Sequence, residues 1–312
     1  MRFNKLDLNL LVALDAMLSL KSISRAAEQM NLSQSAMSNA LARLRAHFDD
    51  DLLVQVGRKM ELTPRAESLQ DAVRDVLVRV DTTISARPEF IPAQSDREFR
   101  IFVSDYSMVT LMPHLLALAA QASHSVRFQF LSQQNQPQRL LDRGEADLLV
   151  IPQIYCSHDH PSDKLLDETF CCIVWQGSQL ATPERAPSGR LTLDAYQGAG
   201  HVVMQPPGAE PSFEGAAMQS QGITRRVDVT TFSFVGALSL VVGTDRIATV
   251  HRRLAAYGQR FLPVKLLKPP IDLPLMTQAM QWHKYRTNDP GLVWLKGLML
   301  RAVDEMDAAM KR

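Results

Sequence analysis

A run of short polar side chains between residues 33 and 43 has the composition needed to contact DNA bases. At helical spacing, one face of this run carries Gln34, Ser35, Ser38 and Asn39. In the major groove, Gln and Asn bond bidentately to adenine, and Ser bonds to several base edges. No Asp or Glu occurs between Glu28 and Asp49, so this surface would not repel the phosphate backbone. The stretch therefore predicts a helix that reads DNA.

Two short helices joined by a tight turn, within residues 22–45, must position that face. Ala26, Ala27 and Met30 line one side of the first helix, and Ser33 is a suitable N-cap for the second. The second helix carries an apolar stripe with residues three or four apart: Met37, Ala40, Leu41, Leu44 and Phe48. An ordinary αα-hairpin with a solvated outer face would show the same pattern, so the flanking elements must decide between the two.

The flanking elements favour DNA binding. A helix over Leu6–Leu18 completes a three-helix core, and Leu52–Val56 and Glu61–Thr63 predict two strands around a basic turn at 57–59. Such a wing places cations beside the DNA backbone or minor groove, whereas a plain surface hairpin is the alternative. We predict DNA contacts from Ser24, Arg25, Ser33, Gln34, Ser35, Ser38, Asn39, Arg43, Arg45, Arg58 and Lys59.

A further helix begins at Thr63–Pro64, where a capping residue precedes proline. Its apolar residues step by four, three and four: Leu69, Val73, Val76 and Val80. This seam suits the same helix of a second subunit, which would let a two-fold protein read paired half-sites. Packing against its own domain is the alternative, because two heptads are short for a coiled coil.

The composition is that of a globular protein, with 312 residues, 46% hydrophobic and 21% charged. Net charge is only +1, so DNA affinity must come from a local patch. The three cysteines form no CxxC pair, which favours buried free thiols in a reducing compartment. The N-terminus lacks a signal-peptide pattern, and no stretch is long and apolar enough to span a bilayer. We therefore expect a cytoplasmic protein without membrane contact.

Together, these motifs resemble the LysR-type transcriptional regulators. The segments that carry the resemblance are SISRAAEQMNLSQSAMSNALARLR, the wing LLVQVGRKMELTP and the helix from Pro64. Ser35 stands where the family often has proline, and Leu44–Arg45 where it commonly has Leu-Glu. The segments SDYSMVTLMP, GTDRIATVHRRLA and WHKYRTNDPGLVWLK extend the likeness along the whole chain, toward nodulation regulators that answer to flavonoids and regulators of aromatic-compound catabolism.

The fold class expected is α/β. We expect a winged helix-turn-helix domain at 1–63, a dimerisation helix at 64–84, a hinge at 85–98 and an effector domain at 99–312. In the last region strand-like and helix-like stretches alternate, which predicts mostly parallel sheets covered by helices. Two lobes connected twice, 99–167 with 272–312 and 168–271, would resemble a type 2 periplasmic binding protein, as the family's effector domain does.

Ligands of open α/β sheets bind at the carboxyl ends of strands. That rule, with the positions that line the pocket in related regulators, predicts effector contacts from Ser104, Tyr106, Ser107, Pro152, His201, Thr231, Phe232, Thr249, His251 and Trp282. Hydroxyl and imidazole groups would bond to a phenol or carboxylate, and Phe232 or Trp282 would stack on a ring. An aromatic effector fits, but the pattern does not choose among salicylates, chlorinated quinols and flavonoids.

No motif for catalysis, dinucleotides or metal is evident. There is no P-loop, GxGxxG or GxSxG, and the cluster at 158–160 has no spaced partner set. We expect no catalytic residue, metal or cofactor. The resemblance implies a transcriptional regulator that acts as an activator. It would bind promoter DNA, contact RNA polymerase and form a homodimer or homotetramer. A solute-binding protein or α/β enzyme is the competing class, but it leaves the N-terminal hairpin unexplained.

Overall fold

The computed structural model describes residues 8–84, 89–206 and 211–310. It divides into two compact units with a boundary between residues 87 and 88, and residues 142–145 group with the first. In the part of the chain that is described, no helix is long and apolar enough to cross a membrane. The start of the predicted first helix, at residues 6 and 7, and residues 85–88 of the predicted hinge lie outside the described residues.

Three helices form the core of the N-terminal unit: α1 (Leu8–Leu20), α2 (Ile23–Gln29) and α3 (Gln34–Phe48). The Ser22 hydroxyl accepts a hydrogen bond from the Arg25 amide and the Ser33 hydroxyl from the Ala36 amide. Each cap satisfies a backbone donor that a helix start leaves open. The fully buried side chains from all three helices meet in one cluster, including Leu14, Met17, Ala26, Met37 and Leu44.

A two-stranded hairpin follows, with β1 (Leu53–Val56) paired antiparallel to β2 (Lys59–Leu62). The second strand starts two residues earlier than the sequence predicts, so Lys59 belongs to the strand and the turn is Gly57–Arg58. Gly57 has φ +63°, the left-handed conformation that a two-residue hairpin turn requires at its first central position. The short turn holds the basic tip close to the paired strands.

The helix α4 (Pro64–Ile84) uses the predicted seam in two ways. Leu69 and Val73 pack into the core of their own unit, so this part of the seam follows the intradomain alternative. Val76, in contrast, is 42% exposed. The first half of the seam, Leu69 and Val73, therefore stabilises the DNA-binding unit, whereas Val76 lies at the surface.

The C-terminal unit contains two five-stranded sheets. Its helices and strands in chain order are β3 (Glu98–Phe102), α5 (Asp105–Thr110), α6 (Met112–Ala122), β4 (Arg127–Leu131), α7 (Gln138–Asp142), β5 (Leu148–Pro152), β6 (Ser162–Glu168), β7 (Phe170–Trp175), α8 (Leu193–Gly198), β8 (Gly200–Met204), α9 (Phe213–Ser220), β9 (Arg226–Thr231), α10 (Phe234–Leu240), β10 (Arg246–His251), α11 (Arg252–Gln259), β11 (Val264–Leu267), β12 (Met276–Gln281) and α12 (Pro290–Met310). The first sheet has the order β4-β3-β5-β12-β6 and the second β11-β7-β10-β8-β9.

The expectation of mostly parallel sheets is wrong. In each sheet, two neighbouring pairs are parallel and two are antiparallel. The reason lies in β12 of the first sheet and β7 of the second. Each is the first strand after the chain crosses from the other sheet, and each runs opposite to its neighbours on both sides. The sequence analysis assigned no strand to β6 or β11, and no helix to α5 or α8.

Successive residues of the central strands alternate between two buried faces. Ile101 and Val150 join the core under α6 and α12, whereas Phe102 and Ile151 pack with α7. In β7, Cys171 faces the core under α10 and α11, and Cys172 the core on the opposite face. The two adjacent cysteines are therefore buried free thiols on opposite sides of one sheet, and burial raises the pKa of Cys171 to about 12.

The helix α5 follows the first sheet in the chain but packs with the second. The Asp105 carboxylate accepts hydrogen bonds from the Ser233 hydroxyl (2.6 Å) and the Val235 amide (3.0 Å) at the start of α10. The ring of Tyr106 is 2% exposed and belongs to the core of the second sheet. The two lobes are thus joined through α5 as well as through the strand connections.

Candidate DNA-binding surface and effector cavity

The outer face of α3 carries the polar residues that the sequence assigns to base reading. Gln34, Ser35, Ser38 and Asn39 are all exposed, while Met37, Leu41 and Leu44 on the opposite face are buried. The helical period therefore separates a core stripe from a polar stripe, as predicted. Ser24 is exposed on the neighbouring α2.

The predicted DNA-contacting cations of α3 and the wing differ in burial. Arg43 on α3 and Arg58 and Lys59 at the wing are exposed. Arg45, which the sequence analysis assigned to DNA, instead donates Nε to the Asp51 carbonyl (2.7 Å) and Nη2 to the Leu53 carbonyl (2.8 Å). Its guanidinium fastens the end of α3 to the segment that leads into the wing, so the structure gives Arg45 a positioning role within the unit, and its contact with DNA stays a prediction.

Two other predicted contacts are also engaged within the unit. The Arg25 guanidinium donates to the Leu20 carbonyl at the end of α1 (2.7 Å). The Ser33 hydroxyl caps α3 and lies 3.0 Å from the Ser35 hydroxyl. These groups fix the geometry of the helix-turn-helix. If Arg25 and Ser33 also contact DNA, they must do so while keeping these bonds within the unit.

Two side chains that were not predicted to matter, Lys21 and Asp50, hold the wing in place. Lys21 forms a 2.8 Å ion pair with Glu61 on β2. The Asp50 carboxylate accepts hydrogen bonds from the Leu52 amide (2.7 Å) and the Thr63 hydroxyl (2.6 Å). The acidic turn after α3 is therefore a structural turn that braces both ends of the wing. The Asx-type spacing of Asp50 and Leu52 was the available signal.

The C-terminal unit contains a cavity of about 510 Å³ between its two sheets. Four predicted effector residues, Ser104, Tyr106, Pro152 and His251, line it. The other described lining residues come from strands, from an amide-rich loop and from the starts of α9 and α10: Phe102, Gln133, Gln134, Asn135, Gln136, Pro137, Gln138, Val150, Ile151, Tyr155, Pro206, Pro211, Ser212, Phe213, Glu214, Phe234, Met276 and Gln278.

Aromatic rings form one wall of this cavity. Tyr106 stacks on His251 with ring centroids 4.2 Å apart and an interplanar angle of 14°, and Phe234 meets His251 edge-on at 4.7 Å. Phe170 lies behind, 5.2 Å from His251 and stacked at 5.8 Å on Phe213. Burial lowers the pKa of His251 to about 3, so its imidazole is neutral at physiological pH. The wall is aromatic and uncharged, which suits an aromatic ring.

A chain of polar contacts runs from the cavity wall to the surface of α12. The Tyr106 hydroxyl donates to Glu168 (2.5 Å), and the Arg253 guanidinium lies 3.4 Å from the same carboxylate. Arg253 also forms two hydrogen bonds with Asp307 on α12 (2.9 and 3.1 Å). Burial raises the pKa of Glu168, against the opposing influence of Tyr106 and Arg253.

A second acidic group lies at the cavity. The Ser212 hydroxyl donates to Glu214, and the Arg225 guanidinium is 3.8 Å from that carboxylate. Glu214 is 4% exposed, and burial raises its pKa. Ser212 and Glu214 occupy the N-cap and first turn of α9, where a carboxylate is favoured by the helix dipole.

Six predicted effector residues do not line this cavity. His201 and Thr249 are buried in the second sheet, and both contact Tyr196. His201 Nε2 lies 2.7 Å from the Tyr196 carbonyl oxygen, and the Thr249 hydroxyl lies 2.8 Å from the Tyr196 hydroxyl. Trp282 is buried in the first core and donates to Thr287, whereas Phe232 is 89% exposed. The remaining two, Ser107 and Thr231, form local hydrogen bonds with Ser104 and Ser233.

A winged helix-turn-helix followed by a two-sheet unit with a small-molecule cavity is the architecture of a bacterial DNA-binding transcriptional regulator. Two family models match: "Bacterial regulatory helix-turn-helix protein, lysR family" over residues 8–67, and "LysR substrate binding domain" over residues 92–304. The chain belongs to the LysR family of transcriptional regulators, as its motifs predicted.

Relatives along the full length include nodulation proteins. The chain is 38% identical to nodulation protein D of a Bradyrhizobium species, covering 98% of this chain and 89% of the relative. It is also 38% identical to nodulation protein D 1 of Sinorhizobium fredii, covering 98% and 94%. Among solved structures, a full-length OxyR variant from Pseudomonas aeruginosa matches with a TM-score of 0.74 at 14% identity, covering 96% and 94%. Full-length CbnR in complex with its target DNA matches with a TM-score of 0.60 at 15% identity, covering 95% and 99%, and both likenesses concern the fold.

Proposed function

We propose that this regulator activates transcription in response to a small aromatic effector bound in the cavity between the two sheets. The observation that carries the proposal is the aromatic wall, in which Tyr106 stacks on His251 and Phe234 meets His251 edge-on. A flat ligand would extend that stack and gain both burial and ring contacts. The protein acts by binding rather than by catalysis, and it needs no cofactor beyond the effector.

Two sets of target genes are candidates. The resemblance noted from the sequence includes regulators of aromatic-compound catabolism, which an aromatic effector would suit. The names of the full-length relatives favour the second candidate, a nodulation-type regulator that answers to flavonoids. The ring-walled cavity is compatible with either effector class, so the choice depends on which compounds change transcription.

On DNA, we propose that α3 enters the major groove while the wing contacts the backbone. Arg43 and Arg58 are the exposed cations best placed along these two elements. A homodimer or homotetramer, formed in part through the apolar surface of α4 around Val76, would read paired half-sites. The site of action is the cytoplasm, where promoter DNA and RNA polymerase are found.

The effector would act through differential affinity. A ligand that binds one arrangement of the two lobes more tightly shifts the population toward it, whereas a ligand that binds both equally shifts nothing. The contacts from Tyr106 through Glu168 and Arg253 to Asp307 connect the cavity wall to the surface of α12. This network gives ligand binding a route to the surface of α12.

The test is fluorescence anisotropy with DNA from upstream of the protein's own gene, at two salt concentrations, against a scrambled sequence. Tight, selective binding that weakens with salt is expected. A reporter fused to that DNA then screens phenols, salicylates, quinols and flavonoids for induction. If genomic selection finds no preferred DNA site and no aromatic compound changes reporter output, the proposal fails.

A further inference from the structure

Arg253 lies between the two lobes of the effector domain and bonds to both. It is the second residue of α11, and the next residue, Leu254, is fully buried in the core of the second sheet. Its guanidinium donates two hydrogen bonds to Asp307 on α12 (2.9 and 3.1 Å). The residue before Asp307, Met306, is buried in the core of the first sheet. The ion pair therefore joins two helices that pack on different sheets.

The helix dipoles do not account for these two charges. Arg253 stands in the first turn of α11 and Asp307 in the last turn of α12, whereas cations are favoured at the C-terminus of a helix and anions at the N-terminus. Each charge is therefore disfavoured by its own helix. Local rules of this kind are broken mainly at functional or strained sites, so the pair points to a role in the contact between the lobes.

The same guanidinium holds the point where the chain crosses between the sheets. Glu168 is the last residue of β6 in the first sheet, and Phe170 is the first residue of β7 in the second, so the crossing takes place at Thr169. Arg253 Nη1 donates to the Asp167 carbonyl (2.7 Å), just before this crossing. A rotation of the lobes about Thr169 would move α11 relative to α12, and the ion pair opposes that movement.

Glu168 connects this contact to the cavity wall. Its carboxylate accepts hydrogen bonds from the Tyr106 hydroxyl and the Thr169 amide (2.9 Å), and Arg253 Nη1 lies 3.4 Å away. Glu168 is 1% exposed, and a carboxylate buried without a paired cation is strongly unfavourable. Because Tyr106 also lines the cavity, a displacement of Arg253 would disturb both the Glu168 carboxylate and the ring that bonds to it.

We infer that Arg253 is a positioning residue that latches the two lobes in the arrangement of this structure. The latch is the Arg253–Asp307 ion pair, and Glu168 links it to the Tyr106 ring of the cavity wall. Loss of the ion pair lets the lobes populate other arrangements. Because coupling between two sites is reciprocal, a compound that displaces Tyr106 would in turn change the strength of the latch. The consequence for transcription rests on the proposed function of the cavity.

Substitutions at Asp307 test the latch in the full-length protein. The side chains of Arg253 and Asp307 are 15% and 40% exposed. The effect of Asp307→Asn should therefore lie between those of exposed and buried ion pairs, at about tenfold in the ratio of lobe arrangements. Asp307→Lys reverses the charge and should shift the ratio further, whereas Asp307→Glu keeps the carboxylate and should behave as the native protein does. Asp304→Lys is the matched control, because Asp304 is exposed one turn earlier on α12.

Distances between spin labels on the two lobes report their arrangement. Val293 on α12 and Phe261, just after α11, are exposed, so each accepts a label after substitution with cysteine. Cys156 is replaced with serine, and the two other cysteines are buried. Labelled chains are diluted with unlabelled protein, and double electron–electron resonance then gives the distance within one chain. Asp307→Asn and Asp307→Lys should enlarge a second distance population, and Asp304→Lys should not.

The link to the cavity wall has a separate test. Tyr106→Phe keeps the ring and removes the hydroxyl that donates to Glu168. Glu168, having lost one donor, should then hold Arg253 more strongly without help from Asp307. Asp307→Asn should therefore shift the ratio of lobe arrangements by a smaller factor in Tyr106→Phe than in the native protein. Equal factors would show that the latch is independent of the cavity wall and would overturn that part of the inference.

Reporter output without any added compound separates this inference from the proposed function. If Asp307→Asn and Asp307→Lys give the same distances as Asp304→Lys, the latch is overturned and the aromatic-responsive regulator is unaffected. If the distances change and reporter output changes with them, the latch and its role in transcription are both supported. If the distances change while reporter output and its response to phenols, salicylates, quinols and flavonoids stay native, the latch stands and the proposed control of transcription by lobe arrangement falls.

Discussion

Arg45 and Arg43 lie two residues apart on α3, and their side chains should behave in opposite ways. Replacing Arg45 with Met removes the hydrogen bonds to the carbonyl groups of Asp51 and Leu53. A hydrogen bond contributes about 0.5–1.5 kcal/mol net. Because Arg45 is half-buried, water can reach the vacated carbonyl groups, so we take the lower part of that range, about 1.5 kcal/mol for both bonds.

That loss should appear as local opening of the wing. A change of about 1.4 kcal/mol is a factor of ten in an equilibrium, so backbone amides of β1 and β2 should exchange hydrogen about ten times faster in Arg45→Met. Hydrogen exchange with mass spectrometry of wing peptides measures this directly in the full chain. The control, Arg43→Met, should leave wing exchange unchanged.

The salt dependence of DNA binding should change in Arg43→Met but not in Arg45→Met. Arg43→Met should reduce the slope of log affinity against log salt concentration by about one unit, because one phosphate contact is lost. Arg45→Met should keep the native slope even if its affinity falls. Normal wing exchange in Arg45→Met, combined with a slope reduced by one, would refute the structural role assigned to Arg45.

Three further predictions address the DNA surface and the core. Arg58→Ala should weaken binding to all DNA sequences alike and flatten the salt slope by about one unit; a loss confined to the operator would show that Arg58 reads bases. Ser38→Glu should abolish DNA binding while circular dichroism stays native, because it places an anion in the groove; unchanged affinity would remove this face of α3 from the interface. Burial lowers the pKa of His201 from 6.5 to about 4. Between those pH values the unfolded chain binds a proton that the folded chain does not. The free energy of unfolding should therefore decrease as the pH falls, by up to about 3 kcal/mol. Urea unfolding at several pH values, followed by tryptophan fluorescence, should show a flatter pH dependence for His201→Asn, and an unaltered dependence would contradict the assignment.

The N-terminal unit was predictable because its signals are local. Helix caps, the 3.6-residue period and the Pro64 start each depend on neighbours in sequence, and α3 and α4 begin at or within one residue of the predicted signals. The role of Arg45 was not predictable in this way, because its partners are backbone carbonyls of the following hairpin, which no side-chain pattern reveals.

Some predicted effector residues do not line the cavity, because the rule that ligands bind at the carboxyl ends of strands needs the exact start and end of each strand. His201 is the second residue of β8, so it lies at the amino end of that strand rather than at the ligand-binding end. Thr249 lies two residues inside the end of β10 and bonds to Tyr196, whereas His251 ends that strand and lines the cavity. Glu214 and Gln278 were missed because a carboxylate in a helix turn and an amide in a strand both resemble surface residues.

The packing of α5 also defines where regulators of this fold can be recombined. Residues 105–110 follow β3, yet Asp105 caps α10 and Tyr106 fills the core of the opposite lobe. A chimera that exchanges the second lobe alone, with crossovers only near residues 168 and 271, would pair α5 of one parent with α10 and α11 of another. A functional graft must therefore be assembled from two separate inserts, the short α5 segment and the long central one, transferred from the same parent.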